Sequence, residues 1–121
     1  MRLLSFCNLV ETTLAMLQPD HAKGWSRRAD YQLGKATYWN PQIGLTLTLA
    51  CCTLDDGRCS IQASWHGTTG EVLQNRVFYC TASTFEWQRA AETVAELMPD
   101  PAQLPPMDPS YVASMNNAAI A

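Results

Sequence analysis

Charge is scarce in this chain. Eight Lys/Arg and eleven Asp/Glu among 121 residues leave a net charge of −3. A general affinity for nucleic acid needs a strongly basic footprint, and none is present. Histidine is scarcer still, with only His21 and His66. The five cysteines, Cys7, Cys51, Cys52, Cys59 and Cys80, show no Cys-x-x-Cys spacing, and no His-x-x-x-His occurs. The usual metal-ligand patterns are therefore missing, and no metal or cofactor is expected. Long hydrophobic runs are absent as well. The uncharged run from Ala36 to Leu54 contains Asn40-Pro41 and alternating threonines. It is too polar for a lipid-facing helix, and no membrane association is expected.

Apolar residues are plentiful at 47%. A chain of 121 residues reads as one domain with a sizeable core. Its charges are uneven: residues 1–40 carry five basic and three acidic side chains (+2), residues 41–121 three and eight (−5). Such an asymmetry reads as solvated surface. The N-terminus, Met-Arg-Leu-Leu-Ser-Phe-Cys, has the look of a secretion signal, but Asn8 and Glu11 interrupt it and no small-residue cleavage site follows. Together with the unpatterned cysteines this points to reduced thiols in a cytoplasmic protein.

The stretch Ile43 to Leu54 organises the rest. It alternates branched apolar with small polar residues, the pattern of a strand with one buried face. Before it, Leu3, Phe6, Cys7, Val10, Leu14 and Leu17 recur at helical intervals, so Leu3 to Leu17 reads as an amphipathic helix stopped by Pro19. Asp20 to Asp30 reads as a polar connection, and Tyr31 to Trp39 as a strand rich in aromatic and β-branched residues. After it, Cys59 to His66 alternates again, and Val72 to Cys80 forms the last strand.

Register follows from the turn at Asp55-Asp56-Gly57. A two-residue loop would split the apolar sets of the two strands between opposite faces. A three-residue loop pairs Thr53 with Cys59, Cys51 with Ile61, Leu49 with Ala63 and Leu47 with Trp65, with Gly57 in the left-handed position. By the same logic Leu73, Val77 and Tyr79 should face inward, with Asn75 misplaced among them. Ser83-Thr84-Phe85-Glu86 reads as a capping box for a helix to Met98, with Trp87, Ala90, Ala91, Val94, Leu97 and Met98 as its apolar stripe. Trp65 and Trp87 both fit the layer between sheet and helices.

The expected fold is α+β: a two-layer sandwich in which a three- or four-stranded antiparallel meander is covered on one face by an N-terminal and a C-terminal helix. Residues 1–98 form that domain. Residues 99–121 form a proline-rich arm, with a short docking helix over Tyr111, Val112, Met115 and Ala119.

Cys51, Cys59, Cys80 and His66 as metal ligands are outweighed by core thiols. A nucleophilic Cys52 or Cys80 would need His66 within reach. His66 as a general base would need Asp55 or Glu71 to orient it, but it borders a turn, where a solvated histidine is the commoner outcome. Gly67-Thr68-Thr69-Gly70 precedes a strand and makes no phosphate cradle. Lys23, Trp25, Arg27, Arg28 and Lys35 form the one basic cluster with an aromatic, too small for a nucleic-acid footprint.

Two functional classes remain. The first is a non-catalytic protein-association module, homodimeric or partner-binding. Its surface is the uncovered sheet face (Thr46, Thr48, Gln62, Ser64, Val72 and Phe78) with Tyr111 and Met115 of the arm. The alternative is a small-molecule site or modest enzyme, with a pocket between sheet and helices lined by Tyr31, Trp39, Trp65 and Tyr79, and His66 or Arg76 as polar groups.

Overall fold

The structure is a computed structural model that describes residues 3–17, 24–81, 87–99 and 110. In chain order its elements are α1 (Leu3–Leu17), β1 (Ser26–Asp30), β2 (Lys35–Asn40), β3 (Leu45–Thr53), β4 (Arg58–His66), β5 (Val72–Thr81) and α2 (Trp87–Glu96). The strands form one antiparallel sheet in the order β1-β2-β3-β4-β5, so each pairs with its sequence neighbour. This is the expected α+β meander with five strands instead of three or four. The capping box at 83–86, most of the arm, and the segment with Tyr111 and Met115 lie outside the described residues.

The extra strand is β1. Ser-Arg-Arg-Ala-Asp has no hydrophobic alternation, and only Ala29 is half-buried. What holds it is pairing with β2, Ser26 opposite Trp39 through Asp30 opposite Lys35. The turn between them is capped by the Leu33 amide donating to Asp30 Oδ1 (3.0 Å), and Gly34 completes it with φ +68°. A β-carbon on Gly34 would stand 2.5 Å from the Cys51 carbonyl oxygen, so only glycine fits there.

The central hairpin has the expected register. Leu47 faces Trp65, Leu49 faces Ala63, Cys51 faces Ile61 and Thr53 faces Cys59. The Leu54 amide donates to the Arg58 carbonyl, the Gly57 amide to the Leu54 carbonyl, and Gly57 has φ +85°. Leu45, Leu47, Leu49, Ile61, Ala63 and Trp65 are all buried beneath the helices. We call this the inner face.

Two polar tips fasten the helices to it. Tyr38 and Trp65 flank Leu47 in one cross-strand row. The Tyr38 hydroxyl donates to the Val10 carbonyl of α1 (3.0 Å), and the Trp65 indole N–H donates to the Val94 carbonyl of α2 (3.1 Å). So α1 lies over β2 and α2 over β4. On α1 the buried side chains are Phe6, Leu9, Val10, Thr13 and Leu17, a stripe turned slightly from the expected one. Thr13 is tolerated there because its hydroxyl donates to the Leu9 carbonyl (2.7 Å). On α2, Ala90, Ala91 and Val94 are buried, but Trp87 is 38% exposed and lies outside the core layer.

β5 corrects the expectation most. Ile61 faces Phe78, Cys59 faces Cys80, Ala63 faces Arg76 and Trp65 faces Gln74, so these β5 residues point inward. A bulge at Trp65/His66 lets Val72 face His66, leaving Leu73 as the extra residue. Asn75, Val77 and Tyr79 therefore point outward. The physical reason is Asn75. Turned outward, it receives a hydrogen bond from the Ser64 hydroxyl (3.2 Å), and the inner positions beside it go to Gln74 and Arg76, whose side chains reach solvent. Phe78 and Cys80 fill the inner positions under α2.

Candidate functional site on the outer sheet face

Strand pairing arranges the outer face in cross-strand rows. One runs Ser26, Trp39, Thr46, His66, Val72. The next runs Arg28, Thr37, Thr48, Ser64, Asn75, and a third Asp30, Lys35, Ala50, Gln62, Val77. A short fourth holds Cys52, Ser60 and Tyr79. All formal charge in these rows sits on β1 and β2. From β3 to β5 the outer face carries one charged side chain, Arg58 at the start of β4.

Along β5 this face ends in apolar side chains left in solvent. Val72 is 60% exposed, Val77 46% and Tyr79 56%. Arg58 lies over the Tyr79 ring at 5.2 Å and is itself held by Asp56 Oδ2 at 2.6 Å. The Arg58 amide and guanidinium together keep the Asp56 carboxyl below the usual carboxylate range. At the opposite end, Trp39 and Thr46 are only 6% and 2% exposed, so Thr46 is a buried member of this face. Thr48 is half-buried, Ser64 is buried, and Gln62 is exposed.

His66 is the one titratable imidazole here, and both its nitrogens are engaged. Nδ1 lies 3.2 Å from the Gly70 carbonyl, which can only accept, so Nδ1 carries the proton. Nε2, 3.3 Å from Thr48 Oγ1, then accepts from that hydroxyl. Among the described residues no carboxylate orients the ring. Glu71 is committed to Thr69, whose hydroxyl and amide hold its carboxyl below the ordinary value. The two contacts fix the orientation of the imidazole.

The cysteines do not assemble a nucleophile. Cys52 is outward and exposed, 2.9 Å from Ser60 Oγ, and three rows away from His66. Cys51, Cys59 and Cys80 lie on the inner face, so the expected grouping of Cys80 with Cys52 and His66 is undone by the β5 register. Burial pushes the Cys51 thiol up to about 12. Among the described residues, no three His, Cys, Asp or Glu side chains are placed to hold a metal.

The residues read as a pocket lining fall on both sides of the sheet. Trp65 is inward and fully buried, edge-on to Trp25 with ring centroids 6.3 Å apart. Tyr31 packs edge-on against Phe6 at 5.9 Å. Arg76 is inward and exposed, whereas Trp39, His66 and Tyr79 are outward. Of the residues read as an outer surface, Thr48, Gln62, Ser64 and Val72 share it with Thr46, while Phe78 faces inward. The basic cluster is also divided: Arg27 pairs with Glu11 of α1, while Arg28 and Lys35 point outward. Val77 belongs to the outer face, against the inward position expected from the apolar pattern. Its signal was the parity of Asn75, which a count of apolar residues overrides.

Among the described residues no helix is long and apolar enough to cross a membrane. Comparison with known proteins finds no matching family model, no matching curated protein and no matching solved structure.

Proposed function

We propose that the chain is a non-catalytic protein-association module working through the β3–β5 part of its outer sheet face, as a homodimer or with a protein partner. One observation carries the reading: Val72, Val77 and Tyr79 stand exposed on a face whose one formal charge across β3–β5 is Arg58, at its end and paired with Asp56. Protein interfaces have this character, apolar and aromatic at the centre and depleted in charge. The polar side chains behind the trio are tied to one another, so the surface is set before a partner arrives. The reading places it in a reducing, cytoplasmic setting, in keeping with Cys51 and Cys59 sealed in the core as thiols.

The test combines sedimentation with site-directed photo-crosslinking. A crosslinker at Gln62, in the middle of the face, should capture a second copy or a partner chain, while one at Gln42, off the sheet, should not. Val77→Glu should abolish the capture with an unchanged melting temperature. Removal of residues 100–121 shows whether the arm contributes. A strict monomer at high concentration, with no capture from Gln62 in its native cell extract, removes the proposal.

A further inference from the structure

The two edges of the sheet are built differently. β1 is five residues long and carries Arg27, Arg28 and Asp30, a short charged edge of the kind that resists strand addition. β5 is ten residues long, contains no proline or glycine, and carries one charge, Arg76. Among the described residues, no strand pairs with its far side. Beside that edge an open groove of about 270 Å³ runs between β5 and α2, lined by Phe78, Tyr79, Cys80, Arg89, Ala90 and Thr93. Phe78 and Tyr79 belong to opposite faces, so the groove reaches the rim of the strand itself.

The arginines are the second observation. Arg27 is paired with Glu11 and Arg58 with Asp56. Arg76 and Arg89 are exposed, and among the described residues neither has a carboxylate partner. Arg89 lines the groove, and Arg76 lies on the same inner face of β5, two residues from Phe78. Two cations without an acid partner among the described residues thus stand where β5 has no neighbour.

We infer that the free edge of β5, with the groove beside it, docks an extended acidic and apolar segment of a partner protein, which joins the sheet as a sixth strand. The inference rests on the association reading and names the partner's chemistry. Alternate side chains of an added strand point to opposite faces. Those on the inner side meet Arg76 and Arg89 with carboxylates and fill the groove with one apolar group. Those on the outer side cover Val77 and Tyr79. A second copy of β5 does not fit this chemistry. Val72–Thr81 contains no carboxylate, and it would bring another Arg76 against the two arginines already there.

The probe is a fluorescein-labelled peptide, Thr-Glu-Val-Leu-Val-Glu-Val-Thr, followed by anisotropy. Its glutamates and leucine share one face. It should bind the full chain at least tenfold more tightly than the same peptide with lysine for glutamate. The double variant Arg76→Glu, Arg89→Glu should reverse that preference, a result that loss of folding cannot produce. N-methylating alternate peptide residues should abolish binding in one of the two registers, because ladder hydrogen bonds come from every second amide. Equal binding of both peptides, no binding, or a dimer through β5 that the peptide does not dissociate would each overturn the inference. Crosslinking from Gln62 reads the outer face separately, so a failed peptide with intact capture there removes only this inference.

Discussion

Gly34 and Gly57 both hold left-handed backbone, yet for different reasons. Around Gly57 a β-carbon would meet nothing within 4 Å, so its glycine answers only the dihedral demand of the turn. Gly57→Ala should cost about 1 kcal/mol in urea denaturation. Gly34→Ala adds a collision with the Cys51 carbonyl and should cost about 3 kcal/mol; equal losses at the two sites would contradict the close approach. The Gly57 role was legible because turn and strands adjoin in the chain. The Gly34 role was not, since the atom that excludes a side chain belongs to a residue seventeen positions on. Cysteine reactivity divides by the same geometry. At pH 8, iodoacetamide should label Cys52 rapidly and leave Cys51 untouched until the protein unfolds, as mass spectrometry of timed samples will show.

At the scale of elements, Tyr38 and Trp65 are the fasteners between layers. Tyr38→Phe removes one buried hydrogen bond to α1 and should lower stability by about 1 kcal/mol. Trp65→Phe removes the bond to α2 and leaves a void as well, and should cost about 2–3 kcal/mol. A reversed order in denaturant melts would mean that α1, not α2, is the better-anchored helix. What could be read in advance at this scale followed hydrophobic period. α1, β3 and β4 alternate cleanly, and their positions and shared face were legible. β1 lacks any apolar period because it is held by backbone pairing to β2, which composition does not record. β5 has apolar residues at both parities, so its orientation was settled by Asn75 and the bulge, and the candidate surface shifted with it: Val77 and Tyr79 came out, Phe78 and Arg76 went in.

The molecule as a whole should lose stability at both ends of the pH scale. Asp56 and Glu71 sit below their ordinary values when folded, so their contribution is present above the usual carboxylate range and lost as pH falls through the depressed folded values. Burial raises Cys51 to about 12 and Tyr38 further still, so stability is full below the ordinary thiol and phenol values and declines as pH rises beyond them. Melting temperatures followed by circular dichroism should show both limbs, and Tyr38→Phe should make the alkaline one shallower. An alkaline limb unchanged in that variant would assign the loss to other groups.

The meander has a consequence for how the chain is made. Every strand finds its partner in the segment just before or after it, so pairing needs no long search and can keep pace with synthesis from the N-terminal side. The charged, short rim is the first to leave the ribosome, and the bare one the last. By the time β5 emerges, β4 is already waiting for one of its sides, and the interval in which a sticky ribbon could meet its like on a neighbouring nascent chain is brief.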